Sequence, residues 1–333
     1  MRNKPRTIAA LIFAIILFGI SLALLDKKPE VETPLLTVVN PTPIAAEEKT
    51  VTILFAGDIM LARDVATSVA RHFGGDYGKL FEKIPEIKIP DITFANLEGP
   101  VSDLGHNVGS IYSFRMDPLA LPSLKNGGID IVSFANNHVG DYTVAAFTDT
   151  LDRLDANGIL HVGAGHTKSE AEAPVIIDKN GIRIGFIGFS DVGPNWLAAD
   201  ETTPGILLAS DPQMPEIIAH AKAQCDILVT SFHWGIEYQP HHSAEQEFLA
   251  HTAIDSGADF VIGHHPHVEE DTENYKNGFI AYSLGNFIFD QPFSKQTMQG
   301  LVVEATLDKT HVTNIEKKHV YLNAFYQPER IGI

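Results

Sequence analysis

At 333 residues the chain can form one large domain or two small ones, and its formal net charge of −18 argues against nucleic acid, which is bound through clustered Lys and Arg. Its single cysteine, Cys225, leaves no internal disulfide to form, so the fold must rest on its apolar core. A small buried thiol is the expected role for that residue.

In chain order, Met1 to Arg6 is basic, and Thr7 to Leu25 then runs nineteen residues without a charge. At about 1.5 Å per residue that run spans a bilayer core of about 30 Å. The basic residues before it keep the amino end in the cytoplasm. Residues 1–6 are therefore expected as a cytoplasmic tail and residues 7–25 as a single-pass transmembrane signal-anchor. Residues 26–50, with Pro29, Pro34, Pro41 and Pro43, suit an extended extracytoplasmic linker. A cleaved and secreted form is the alternative; Leu22-Ala23-Leu24-Leu25 running straight into charge favours retention.

The folded domain is expected over 51–333. Arg63 to Phe73 has helical periodicity and stops at Gly74-Gly75. Thr143 to Ala156 repeats Val144, Phe147, Leu151 and Leu154 and closes at Asn157-Gly158, a helix stop. Ile182 to Phe189 is an unbroken apolar run and predicts a buried strand. Met214 to Ala223 and Ala244 to Ser256 predict amphipathic helices. Gly278 to Phe289 predicts a strand, a tight Leu284-Gly285-Asn286 turn and a second short strand. Gly300 to Leu307 and Val312 to Tyr321 predict closing antiparallel strands. Strands alternating with helices indicate an α/β fold with helices outside the sheet, and the late strands imply a mixed or second sheet.

Five apolar runs stop at metal-ligand residue types. Ile53 to Ala56 ends in Gly57-Asp58, and Ile92 to Ala95 ends in Asn96-Leu97-Glu98. Ile131 to Ala135 ends in Asn136-Asn137-His138, Ile227 to Phe232 in His233-Trp234-Gly235, and Phe260 to Gly263 in His264-His265-Pro266-His267. A buried strand needs no such groups at its end. At the carboxyl ends of neighbouring strands they would converge on one rim, where α/β folds place ligands. Oxygen and imidazole donors of this kind suit one or two divalent ions, with Mn, Zn or Fe the expected identities.

Gly57-Asp58-Ile59-Met60, Asn96-Leu97-Glu98-Gly99-Pro100, Ala135-Asn136-Asn137-His138, His233-Trp234-Gly235-Ile236-Glu237-Tyr238, Gly263-His264-His265-Pro266-His267 and Tyr282-Ser283-Leu284-Gly285-Asn286-Phe287 together resemble the motifs of the CapA family. That family is associated with bacterial poly-γ-glutamate capsule synthesis and is related to calcineurin-like metallophosphoesterases. The resemblance spans about residues 51 to 325 and implies a metallophosphatase-like β-sandwich flanked by helices, a four-layer αββα arrangement.

Carried over motif by motif, the resemblance implies that Asp58 binds a first metal and Glu98 bridges two. Asn137, His233 and His265 would complete the second site, and His267 would return to the first. His138 would be the general acid. Arg115, in a matching segment, would hold a carboxylate or phosphate bidentately, and Asn96 would also contact substrate. Asn136, His264 and Glu237 would pack behind and orient the ligands. One departure stands out: the phosphoesterases carry Asp-x-His in the first motif, whereas this chain has Met60, and a thioether is a poor ligand for such ions. Glu98 also replaces a shorter Asp.

These residues lead to the expectation of a membrane-anchored, extracytoplasmic, metal-dependent hydrolase. It would act on an amide or phosphoester in the biosynthesis or export of a poly-γ-glutamate polymer, an anionic partner, beside a membrane synthase complex. Two alternatives use the same residues: a non-catalytic polymer-binding or export scaffold, and a metal-dependent peptide epimerase.

Overall fold

The protein is described by a computed structural model that covers residues 49–330. The expected tail, the membrane segment and residues 26–48 of the linker lie outside the described residues. Among the described residues, no helix is long and apolar enough to cross a membrane.

Strands β1 (Val51–Ile59), β2 (Ile92–Leu97), β3 (Ile131–Ser133) and β4 (Leu160–Val162) run parallel. A two-stranded ribbon follows from β5 (Ala164–Gly165) and, later, β8 (Gly205–Ile206). A six-stranded sheet is built from β6 (Val175–Lys179), β7 (Ile182–Ser190), β9 (Ile227–His233), β10 (Phe260–His264), β11 (Thr272–Tyr275) and β12 (Gly278–Ala281). Its order is β11-β12-β10-β9-β7-β6. The last strands, β13 (Asn286–Ile288), β14 (Gln299–Leu307), β15 (Val312–Leu322) and β16 (Pro328–Arg330), join the first sheet, whose order is β16-β15-β14-β1-β2-β3-β4 with β13 also on β1.

Strands at the centre of each sheet read as continuous apolar runs because both of their faces are covered. Along β1, Val51, Ile53 and Phe55 point into the space between the sheets, while Leu54 and Ala56 point to the helices. The inter-sheet core is aromatic: Phe55 meets Phe260 of the other sheet with ring centroids 5.3 Å apart, and Phe94 stacks on Phe186 at 5.8 Å. Removing one such ring costs about 3–5 kcal/mol.

Helices Arg63–His72 and Thr143–Ala156 cover the outer face of the first sheet through Val65, Val69, Phe147, Leu151 and Leu154. Helices Met214–Lys222 and Ala244–Asp255 cover the second through Ile218, Ala221, Leu249 and Ala253. The second of these starts at a capping box between Ser243 and Gln246. The layers therefore run helices, sheet, sheet, helices, a mixed α/β architecture.

Two elements differ from the sequence expectation. The segment Gly278 to Phe289 holds the two expected strands, but they lie in different sheets, β12 on β10 and β13 on β1, and Asn286 belongs to β13 rather than to the turn. The intervening Gly285 carries the crossing at φ 66°, and its carbonyl accepts the Asp58 N–H at 2.9 Å. A short helix, Leu121–Gly127, was also not anticipated; Pro122 in its first turn is the signal that marks it.

A candidate metal centre at the strand ends

Parallel pairing brings the strand ends to one level. Asp58 sits opposite Asn96 of β2 and Asn286 of β13, and His233 of β9 sits opposite His264 of β10. After β10 the chain turns sharply, with His265 at φ 100° and His267 at φ 58°. Side chains with a Cβ rarely adopt these angles, and such strain concentrates where surrounding structure fixes a functional geometry.

Asp58 is completely buried. Its Oδ1 accepts from Asn96 Nδ2 at 2.8 Å and lies 3.3 Å from His264 Nδ1. Its Oδ2 accepts from the His265 backbone N–H at 3.3 Å and lies 3.4 Å from His267 Nδ1. Burial alone would push this carboxyl up, but hydrogen bonds and charge from His264 and His267 outweigh it and hold Asp58 well below the usual range.

Glu98 is the opposite case. It is fully buried and neither carboxylate oxygen has a hydrogen-bond partner. The nearest imidazole nitrogens are His267 Nε2 at 3.6 Å and His138 Nε2 at 3.7 Å, both from Oε1. Burial pushes its carboxyl well above the usual range, against the pull of His267. A buried carboxylate without partners is expensive unless something positive completes it.

The imidazoles divide by role. His267 Nδ1 donates to Asn286 Oδ1 at 3.0 Å, which leaves Nε2 free. Burial acts to lower His267, but Glu98 and Asp58 dominate and push it up to about 9. His265 is pushed down to about 3, by burial first and then by His267. Burial followed by His265 drives His233 well below its usual value as well. His233 Nε2 meets Asn137 Oδ1 at 2.9 Å, and its ring lies 4.9 Å from that of His265. Imidazoles held neutral keep the lone pair that a metal needs.

Ligand atoms of Asp58, Glu98 and His267 all lie within 4.8 Å of one another, and so do those of Glu237, His265 and His267. The unpartnered Glu98 oxygens, the carboxylate of Asp58 and the neutral imidazoles of His233 and His265 are donors that fit a divalent ion, which would take the place of the proton on His267 Nε2.

Beside this group stands His138, one ring face against Phe114 at a centroid distance of 3.9 Å. Its Nδ1 bonds Asp141 Oδ2 at 2.8 Å, and the same oxygen accepts the Phe114 N–H at 2.8 Å. With Nδ1–H donated to the carboxylate, Nε2 is the atom turned to Glu98. A buried hydrogen-bonded row runs behind: Asn136 Nδ2 donates to Asn96 Oδ1 at 3.2 Å and to the Leu97 carbonyl at 2.8 Å, while Asn136 Oδ1 accepts the His138 N–H at 3.2 Å.

The structure thus brings Asp58, Glu98, Asn137, His138, His233, His265, His267, Glu237, Asn136 and His264 to one rim. Asn96 lies there too, but it is completely buried and both ends of its amide are engaged, so it braces Asp58 and does not face an opening. Arg115 is exposed, its guanidinium 4.4 Å from the Tyr142 ring centroid. Met60 turns into the core, where its sulfur accepts the Ala62 N–H at 3.1 Å. Cys225 is buried, and burial raises its thiol.

Sequence reasoning missed Asp141 and Asn286. Asp141 follows His138 by three residues in a turn, a spacing that could have flagged it. Asn286 looked like a residue demanded by the turn; its side chain instead donates to Gln291 Oε1 and the Thr297 carbonyl and fixes His267.

Fold and site together define an α/β sandwich with a carboxylate–imidazole centre at its strand ends. A solved structure described as a novel phosphatase from Mycoplasma pneumoniae is similar in fold, with a TM-score of 0.52, 12% identity, and coverage of 83% of this chain and 95% of that one. The family model for the bacterial capsule synthesis protein PGA_cap matches residues 52–291, and the chain belongs to that family. It is 35% identical over 252 residues to the PGA biosynthesis protein CapA of Bacillus subtilis (strain 168), covering 74% of this chain and 66% of that protein. It is 33% identical over 265 residues to the capsule biosynthesis protein CapA of Bacillus anthracis, covering 77% of this chain and 64% of that protein. The matches span slightly less than two thirds of the length of either relative.

Proposed function

We propose that this protein is a metal-dependent hydrolase acting on an amide or phosphoester in poly-γ-glutamate capsule biosynthesis or export. In this reading it works on the extracytoplasmic side of the cell membrane, anchored through residues 7–25. Family membership and the two Bacillus relatives support the polymer. The observation that carries the chemistry is Glu98, buried with two unpartnered oxygens beside Asp58, His267 and His138.

Asp58, Glu98 and His267 would hold a divalent ion, with Asn137, His233 and His265 beside it. When bound, such an ion polarises a carbonyl or phosphoryl oxygen and acidifies water. Asn286 keeps the His267 proton on Nδ1, so Nε2 remains the donor atom. Asp141 holds His138 in one orientation, from which Nε2 hands a proton to the leaving atom. Phe114 covers the ring and keeps water off that face.

A second reading, a polymer-holding module without turnover, draws on Met60, because the first-motif ligand position is spent in the core. One experiment separates them: the full-length chain is incubated with Mn²⁺ and γ-linked glutamate polymer, and chain length is followed by size exclusion. Shortening that disappears in His138→Ala supports the hydrolase. Polymer retained at full length, with equal binding by both proteins, removes the hydrolase and leaves the module.

A further inference from the structure

We infer that Glu237 is itself a metal ligand, acting with His265 and His267. This inference rests on the metal-centre reading above.

The loop after β9 is built to deliver this carboxylate. Gly235 turns the chain at φ 84°, and a Cβ there would lie 2.8 Å from the Gln246 side chain. Tyr238 then takes φ 65°, and its N–H donates to the Pro266 carbonyl at 2.8 Å. That bond clamps the Glu237 loop onto the His265-Pro266-His267 turn. Three residues with a Cβ, Tyr238, His265 and His267, hold left-handed backbone angles in these two adjoining loops.

The donor atoms are ready. Carboxylate and imidazole atoms of Glu237, His265 and His267 lie within 4.8 Å of one another. His265 is buried and its Nδ1 has no hydrogen-bond partner. His267 Nδ1 is committed to Asn286, so Nε2 is the atom on which a metal would take the place of a proton. Glu237 is half-buried, and its charge is felt at both Glu98 and His267. A residue that only oriented His233 would have no reason to reach the imidazoles of the next strand.

Counting donors keeps the two groups apart. With Met60 in the core, Asp58, Glu98 and His267 supply three groups to the first position, fewer than the four to six that Zn or Mn commonly take. Glu237 instead supplies an oxygen donor to the neighbouring group with His265, which shares His267 with the first.

The test uses the full-length chain, first stripped with chelator, then titrated with Mn²⁺ by calorimetry and loaded with Co²⁺ for visible spectra. Glu237→Gln keeps shape and removes charge; Glu237→Ala removes the group. Expected are Mn²⁺ affinities weakened roughly tenfold or more in both variants, and Co²⁺ bands of changed shape in Glu237→Gln. A residue acting only from behind the ligands weakens affinity and leaves band shape intact, so an unchanged spectrum overturns the assignment. Unchanged Mn²⁺ affinity in Glu237→Gln overturns it as well, while leaving the metal centre standing. Wild-type protein that takes up neither ion overturns the metal centre and the assignment together.

Discussion

Replacing Glu98 by Gln should move the stability of this protein in opposite directions with and without metal. Without an ion, Glu98 is a fully buried carboxylate whose oxygens have no hydrogen-bond partner. Leaving such a group unsatisfied costs about 1–3 kcal/mol, more when charged, and Glu98→Gln removes the charge while keeping the shape. At roughly 2 °C per kcal/mol for a domain of this size, the variant in chelator should melt about 2–6 °C above wild type at pH 8.

The pH dependence follows from the raised carboxyl. A folded value above the unfolded one means stability is fully present below the unfolded value and is lost as pH rises through the folded one. The advantage of Glu98→Gln should therefore shrink towards acid, as both proteins become neutral at this position. With Mn²⁺ at a hundred times its dissociation constant, wild type should gain about 2.7 kcal/mol, or about 5 °C, and the variant little. Thermal melts followed by circular dichroism, in chelator and in Mn²⁺ across pH 5 to 8, decide the matter. A variant that melts below wild type in chelator would show that the carboxylate already has a partner, and the argument for an ion there would collapse.

Three further outcomes are expected. Asp141→Asn replaces the acceptor of His138 Nδ1 and should lower polymer hydrolysis about 10²–10⁴-fold, the worth of a positioned proton donor, with Mn²⁺ affinity retained; wild-type turnover in a folded variant contradicts the assigned role. Glu270, pushed up to about 7 mainly by burial, bonds Gln246 Nε2 at 2.7 Å through one oxygen and leaves the other unpartnered. Its contribution is complete below the ordinary carboxyl value and is lost through pH 7, so Glu270→Gln should flatten a stability decline of about 1–2 kcal/mol, discounted for partial water contact; parallel melting curves for variant and wild type from pH 5 to 8 reject it. Gly57→Ala would set a Cβ 2.0 Å from the Gly285 carbonyl oxygen, where β1 meets the crossing chain, and should cost about 3 kcal/mol or more; a melting point within a degree of wild type would mean the crossing is loose.

The legible part of this protein is the part where one physical cause acts alone. β1, β2, β3, β9 and β10 are covered on both faces, so their sequences are apolar until the covering ends, and the first polar residue marks the rim. That is why Asp58, Glu98, His138, His233 and His265 could be placed together from the sequence. The edges were less legible: β6 is half exposed, and β5 and β8 are two residues each, too short for periodicity to register. Most obscure were residues whose meaning depends on a distant strand. Asn286 satisfies every local rule for a turn, and only the switch of the chain between sheets puts its side chain on His267. Asn96 looks like a rim residue for the same reason that Asp58 does, yet pairing of β1 with β2 turns the two side chains onto each other. Strand-end chemistry can therefore be read along one chain, whereas the division between residues that meet a ligand and residues that hold them in place is decided across strands. Glu237 falls under the second rule, and its place beside His265 and His267 emerges only once Tyr238 is bonded to Pro266.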